Sequence, residues 1–334
     1  VKPRLLYPYP NGWFAAAIAA ELRPGQVMTR SFMGQDVVLY RTADGHASAI
    51  DPYCPHLGAH FGFGGTVEGE HLRCPFHGFA YDREGACVST GYGTKPPPKA
   101  RLKRYLTREV NGIILVYHGA DAPSWEVPSL DVENWTPLIH HTVRLNEHVQ
   151  ETVENSVDLG HFAIVHGYHG VRITRDIQLD GAYLSIAYAA NRPLPHLSRM
   201  LPALAFDFEY DLHVYGLGYS LVQVSVPRFG LRSRLFILAT PVSEDYIDLT
   251  MALSVFKGFD HALLRVLPAG LLSRAIARGI LGGLVHDAGQ DFPIWENKRY
   301  LDAPALADGD GPIGRFRYWA KQFYAAEPVM ALNG

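Results

Sequence analysis

Short apolar runs broken by turn pairs dominate the first third of the chain, and this pattern predicts strands. Over residues 10–118, runs rich in Val, Leu, Ile and Tyr are separated by Asp44-Gly45, Glu84-Gly85 and Asn111-Gly112. Such pairs close tight hairpins between strands. The runs at 37–40 and 113–117 read as buried strands, and Pro96, Pro97 and Pro98 hold 91–100 as an extended loop. A Pro-containing connector at 119–137 marks a boundary, which divides the chain into domains 1–120 and 121–334. Beyond it the elements lengthen. A strand is predicted at 140–146, a helical stretch at 149–165, and strands at 184–190, 220–226, 235–240 and 246–256. The last alternates cleanly, with Ile247, Leu249, Met251, Leu253 and Val255 set against Asp248, Thr250, Ala252 and Ser254. A long helix over 259–300 is expected to break at Gly282-Gly283 and at Pro293, and a last helix covers 313–324. Strands followed by helices, without a βαβ repeat, predict an α+β chain with an antiparallel sheet.

Composition narrows the classes. A length of 334 residues exceeds the usual single core, in keeping with two domains. With 48% hydrophobic and 19% charged residues, a disordered or fibrous chain is excluded. The net charge of −3 leaves no basic excess for phosphates, so nucleic acid is not an expected partner. The apolar run 13–20 is too short for a signal sequence, and 262–285 is interrupted by Arg265, Arg274 and Arg278. A soluble chain is expected. Three cysteines, Cys54, Cys74 and Cys87, are too few and too odd for a disulfide scaffold, so a reducing, cytoplasmic setting is expected. Sixteen histidines beside three cysteines direct attention to metal sites.

The first candidate site is Cys54-Pro55-His56 followed by Cys74-Pro75-Phe76-His77, a C-x-H-x17-C-x2-H pattern in a glycine-rich region. Two thiolates and two imidazoles suit tetrahedral zinc, or a [2Fe–2S] cluster with both cysteines on one iron and both histidines on the other. Zinc fingers usually pair like with like, whereas each half here mixes one Cys with one His. The stretch CPHLGAHFGFGGTVEGEHLRCPFHGFAYDREGACV resembles the Rieske domain of Rieske non-haem iron oxygenases over both ligand loops. Phe79 stands where that family often has Trp. Respiratory Rieske proteins carry an additional disulfide that Cys87 alone cannot form. The resemblance therefore points to the oxygenase branch and a potential near the low end of the Rieske range, and Cys87 reads as a small buried hydrophobe.

The second candidate is Asn155, Asp158, His161 and His166, an N-x2-D-x2-H-x4-H run. A mononuclear Fe(II) centre needs two imidazoles and one carboxylate on one face, with the other face open. His161 and His166 are five apart, which splays them by about 140° on a regular helix. Both reach one metal only if the helix is distorted, and Gly160 and Gly167 ease that. The third ligand must come from elsewhere; the resemblance implies a carboxylate in a long C-terminal helix, where Asp287 and Asp291, four apart, share a face. Glu154 and Asn155 are candidates for supporting polar contacts.

The resemblance implies more. Gln290-Asp291-Phe292-Pro293-Ile294-Trp295 is similar to the family's Q-D-x-x-I-W stretch, which favours Asp291 over Asp287 as the ligand. It implies an all-β [2Fe–2S] domain followed by a helix-grip (START/Bet v1-like) catalytic domain. It implies Fe2+ on His161, His166 and Asp291, and Asp158 as the bridge between His161 and a cluster histidine of a neighbouring copy in a homotrimer. It also implies a separate NAD(P)H-dependent reductase or ferredoxin, and O2 as co-substrate. No GxGxxG follows a strand here, so the chain is not expected to bind the nicotinamide itself. The C-terminal IWENKRYLDAPALADGDGPIGRFRYWAKQFY resembles the steroid-acting branch, that of cholesterol 7-desaturases and 3-ketosteroid 9α-hydroxylases. That implies hydroxylation or desaturation of an apolar, steroid-like substrate. Leu197, Met200, Leu201, Pro202, Leu204, Phe206 and Phe208, read as loop residues, suit such a ligand. The alternatives are an aromatic or natural-product substrate on the same fold, or an electron-transfer Rieske ferredoxin with a ligand-binding module.

Overall fold

The computed structural model describes residues 8–193, 205–258 and 269–324. It has two compact units. One comprises Trp13–His118 with Val242–Glu244; the other comprises Gly119–Pro241, the residues from Asp245 onward and a short N-terminal piece ending at Gly12.

The smaller unit is built of short strands: β1 (Gly12–Ile18), β2 (Val27–Phe32), β3 (Gln35–Arg41), β4 (Ala47–Ile50), β5 (Thr66–Glu68), β6 (His71–Arg73), β7 (Ala80–Tyr81), β8 (Cys87–Ser89), β9 (Arg104–Tyr105), β10 (Thr107–Val110) and β11 (Ile113–His118). They form three sheets, ordered β1-β11-β10, β2-β3-β4-β9 and β5-β6-β7-β8. The apolar run near the N-terminus becomes β1, a buried strand of this unit. Asn111 and Gly112 join β10 to β11 with φ of 55° and 78°, the left-handed pair that a twisted two-residue hairpin requires. Cys54 and Cys74 lie in the same core as Phe61, Leu72, Phe79 and Tyr81.

The larger unit is one seven-stranded antiparallel sheet with helices against it. In chain order it runs β12 (Ile139–Leu145), α1 (Val149–Glu154), α2 (Gly160–Ile164), β13 (His169–Asp180), β14 (Tyr183–Pro193), β15 (Ala205–Tyr215), β16 (Tyr219–Val226), β17 (Leu231–Pro241), β18 (Ile247–Val255), α3 (Ala269–Asn297) and α4 (Ile313–Ala320). The sheet order is β12-β18-β17-β16-β15-β14-β13, so the first strand closes beside the last. The expected alternation of β18 holds only in its first half: Ile247, Leu249, Met251, Leu253 and Val255 are buried and Asp248 and Thr250 are not, but Ala252 and Ser254 on the other face are buried too. Helix α3 packs on β18 and β12, the helix-grip arrangement.

Four expectations need correcting. The helical stretch 149–165 is two short helices, because the chain leaves the helix at Asn155–Leu159. The long helix does not break: α3 runs unbroken from Ala269 through Gly282-Gly283 and Pro293 to Asn297. Glycine weakens a helix by about 1 kcal/mol without forbidding it. Pro293 forgoes the helical N–H bond to the carbonyl four residues earlier, but only one turn from the C-terminal end of α3, and the Asn297 side chain donates to the Pro293 carbonyl at 2.8 Å. Two strands, β13 and β15, were not expected. Phe206 and Phe208 lie on β15, not on a loop, while Leu197, Met200, Leu201, Pro202 and Leu204 fall outside the described residues. Finally, Cys87 is half-buried rather than buried, and its Sγ donates to Ser89 O.

Candidate metal centres

Cys54 and His56 lie on the loop between β4 and β5, and Cys74 and His77 on the loop between β6 and β7. The two loops fold alike. Cys54 N donates to Ala59 O and Gly58 N to Cys54 O, both at 2.8 Å; Cys74 N donates to Phe79 O at 2.8 Å and Gly78 N to Cys74 O at 3.1 Å. Each turn is closed by a left-handed glycine, Gly58 at φ 74° and Gly78 at φ 64°. A Cβ at Gly78 would also meet Gly91 Cα at 3.2 Å. Both cysteines are buried, and the His56 and His77 rings stand 4.7 Å apart at 77°. Phe79 stacks on His56 with centroids 4.2 Å apart, and the Tyr81 hydroxyl is 3.1 Å from Cys54 Sγ. Burial pushes the Cys54 thiol up from its ordinary range, against the Tyr81 hydrogen bond.

The second constellation is assembled from three places. His161 opens α2, His166 follows its end, and Asp291 comes from α3; their donor atoms all lie within 4.8 Å of one another. The five-residue spacing is accommodated because α2 stops at Ile164 and the chain turns through Gly167 at φ 66°. The distortion expected from the spacing is therefore a helix end. His166 Nε2 is 3.4 Å from Asp291 Oδ2, and its Nδ1 is 2.9 Å from Gln290 Oε1. Burial lowers the His166 pKa, but Asp291 and Gln290 outweigh it and hold it above the ordinary value. Asp158 accepts from His161 N at 3.3 Å, and its other oxygen is 3.7 Å from His161 Nδ1. Burial raises the Asp158 carboxyl, yet His161 holds it below its usual range. Asn155 Nδ2 lies 3.3 Å from His161 Nε2.

Asp287 faces elsewhere. It forms an ion pair with Arg192 and accepts from the Tyr168 hydroxyl at 3.0 Å. Glu154 is a buried anchor: Arg317 of α4 clasps both its oxygens, at 2.6 and 2.8 Å.

Residues 12–105 match the Rieske [2Fe-2S] domain, and residues 116–324 match the 3-ketosteroid 9α-hydroxylase C-terminal domain. The chain belongs to this family of Rieske oxygenases. Among its relatives, the cholesterol 7-desaturase of Bombyx mori is 29% identical, over 95% of this chain and 70% of its own length. A probable 3-ketosteroid-9-alpha-monooxygenase oxygenase component of Rhodococcus rhodochrous is 26% identical, over 95% and 80%. Similar solved structures include dicamba monooxygenase bound to dicamba (TM-score 0.66, 20% identity, 94% of this chain and 97% of that one) and Pseudomonas putida CBB5 NdmA with caffeine (0.68, 19%, 92% and 89%). At these identities the likeness is one of fold, and it extends over both units. Membership makes the Rieske oxygenase an O2-dependent oxidoreductase whose cofactors are a [2Fe–2S] cluster and Fe2+.

The residues fit both groups. His56 Nδ1 and His77 Nδ1 are buried with no hydrogen-bond partner among the described residues, as is His161 Nδ1. A buried imidazole nitrogen without a partner is costly, and the two in the smaller unit stand on neighbouring rings beside two buried thiols. Gln290 and Phe79 were named in the sequence without a role at these centres, and Tyr81 was not singled out. Gln290 orients His166 through Nδ1, in the manner of an outer ligand partner. Phe79 packs on His56, and Tyr81 reaches a cysteine sulfur. Gln290 was adjacent to the expected ligand; the tyrosine had no local signal, since only the hairpin brings it to Cys54.

Proposed function

We propose that this Rieske oxygenase is the terminal component that oxidises a C–H bond of a steroid or sterol, by hydroxylation or desaturation. The convergence of His161, His166 and Asp291 carries the reading, because an electron carrier has no use for a second metal site with an open face. In this reading Cys54 and Cys74 hold one iron of the cluster, His56 and His77 the other, and His161, His166 and Asp291 the mononuclear iron. When bound, the cluster supplies single electrons and the iron supplies O2 activation. The first 120 residues serve as the electron-receiving domain and residues 121–334 as the catalytic domain.

The chain's own groups set the site for this work. Gln290 Oε1 accepts from His166 Nδ1–H, so Nε2 is left as the ligand atom. Asp158 lies beside the His161 ring, its Oδ2 3.7 Å from Nδ1, and its Oδ1 accepts from the His161 backbone N–H at 3.3 Å. Arg192 and Tyr168 hold Asp287 and keep a second carboxylate from the iron. An aromatic lane leads away from the histidines: Phe162 is 6.0 Å from His166 and 5.2 Å from Tyr188, which stacks on Tyr210 at 4.9 Å, followed by Phe208 at 6.0 Å. These rings pack on one another and keep water from that side of the histidines. The relatives named for cholesterol and 3-ketosteroids support the steroid substrate class.

A homotrimer with Asp158 between copies belongs to this reading, as does a reductase or ferredoxin that delivers electrons. Asp158 keeps 31% of its side chain exposed, which leaves one edge for a partner histidine. Three free thiols suit a reducing, cytoplasmic setting. No helix among the described residues is long and apolar enough to cross a membrane. The test is metal analysis and turnover. Purified protein should hold about three irons and two acid-labile sulfides per chain, and should oxidise members of a sterol and ketosteroid panel with a surrogate reductase. Two irons per chain, or zinc without sulfide, would overturn the assignment; turnover confined to small aromatic acids would overturn the substrate class.

A further inference from the structure

The Rieske unit must take electrons from another protein, and its surface carries a stripe suited to that. Residues 95–104 supply Lys95, Lys99, Arg101, Lys103 and Arg104, all exposed, within a chain whose net charge is −3. None of the five is paired with a carboxylate among the described residues. Arg101 and Arg104 donate to the backbone oxygens of Glu84 and Arg83, and Lys103 lies over the Tyr105 ring. The alternation along this segment places the stripe. Ala100 and Leu102 point inward and pack in the core that holds Cys54 and Cys74. Lys99, Arg101 and Lys103 therefore stand on the outer side of the layer covering the cysteines. The histidine side differs. There Leu57 and Phe76, the chain neighbours of His56 and His77, are 65% and 63% exposed, so that face is apolar.

We propose that the 95–104 stripe is the docking site of the electron donor, a one-electron carrier with a surplus of carboxylates, and that electrons enter the cluster from its cysteine side. This rests on the assignment of Cys54, His56, Cys74 and His77 to the cluster. The step moves one electron: the donor is oxidised, the cluster is reduced, and no atom is transferred. Charge complementarity on an exposed stripe speeds encounter without demanding a large interface. It also leaves the apolar histidine face free for the copy that receives the electron, so donor and acceptor do not compete for one surface.

The experiment is stopped-flow bleaching of the oxidised cluster in the holoenzyme, with a reduced acidic plant-type [2Fe–2S] ferredoxin as probe, at rising NaCl. The second-order rate constant should fall steeply with salt. The variant Lys95→Glu/Lys99→Glu/Arg101→Glu/Lys103→Glu should be reduced at least about tenfold more slowly at low salt, with its salt dependence flattened or reversed. The matching set of Gln substitutions should fall between. Reduction by dithionite should be equal in all three. A wild-type rate indifferent to salt, or a charge-reversed protein reduced as fast as wild type, overturns the docking site. If dithionite-reduced wild type oxidises no substrate, the oxygenase reading fails instead, and the salt dependence still decides the stripe.

Discussion

Two aspartates one helical turn apart on α3 meet opposite surroundings, and that difference makes them separable by mutation. Asp291 faces His161 and His166, whereas Asp287 is held by Arg192 and Tyr168. Asp291→Asn should lose the mononuclear iron and keep the cluster spectrum, while Asp287→Asn should keep both metals. Iron analysis beside the visible spectrum checks this, and equal iron loss in the two variants would contradict the assignment. Tyr81 offers a second test. Its hydroxyl reaches Cys54 Sγ at 3.1 Å, and a hydrogen bond to a ligand sulfur stabilises the reduced cluster. At about 1 kcal/mol for such a bond, Tyr81→Phe should lower the cluster potential by ~40 mV in a redox titration. At this scale the sequence was legible for the candidate metal-binding residues, in that His161, His166 and Asp291 do converge. It was silent on Tyr81 and on the Arg192–Asp287 pair, whose members are 27 and 95 residues from their partners and meet only after the strands have paired.

At the scale of elements, the short helix α1 carries much of the burden of holding the catalytic unit together. It is buried along its whole length, including Glu151 and Glu154. Glu154 is clasped by Arg317 of α4, so removing the cation alone strands a buried carboxylate. Arg317→Leu should destabilise by about 3–5 kcal/mol in chemical unfolding, and adding Glu154→Leu should recover much of it. Glu147, just before α1, is pushed up to about 9 by burial and by the neighbouring Glu151, which stays ionised beside Lys298 at 3.2 Å. The folded chain thus keeps a proton on Glu147 that the unfolded chain releases above its ordinary carboxylate pKa. Stability from this group is complete below that pKa, declines as pH rises, and is gone above about 9. Glu147→Gln should remove this slope and raise the melting temperature at pH 8; an unchanged slope would show that the proton resides elsewhere. Strands with alternating patterns and buried faces were readable. β13 was not, because it is an edge strand with a single buried residue, Ile177, and several bulges. β15 does alternate, with Phe206, Phe208, Tyr210, Leu212 and Val214 against Asp207, Glu209, Asp211, His213 and Tyr215. Pro193, Pro195 and Pro202 stand just before it in the sequence, and prolines argue against a central strand.

For the whole molecule, the arrangement of copies determines whether one chain suffices. If electrons pass from the cluster of one protomer to the iron of the next, two inactive variants can complement each other. Cys54→Ser removes the cluster and leaves the iron; Asp291→Asn does the reverse. Each homotrimer is inactive. In mixed trimers formed by coexpression, a cluster-bearing protomer stands before an iron-bearing one at roughly a quarter of the interfaces, if assembly is random and head-to-tail. Activity should therefore return to about a quarter of wild type. Transfer within one chain allows no recovery, since neither chain holds both centres. Adding Asp158→Asn tests the bridge in the same mixture. Placed on the iron-bearing chain it should suppress the recovered activity, because that chain presents Asp158 beside His161; placed on the iron-free chain it should have no effect. Suppression from either chain alike would mean that Asp158 acts on folding or assembly, and the bridge would have to be abandoned while the trimer stood.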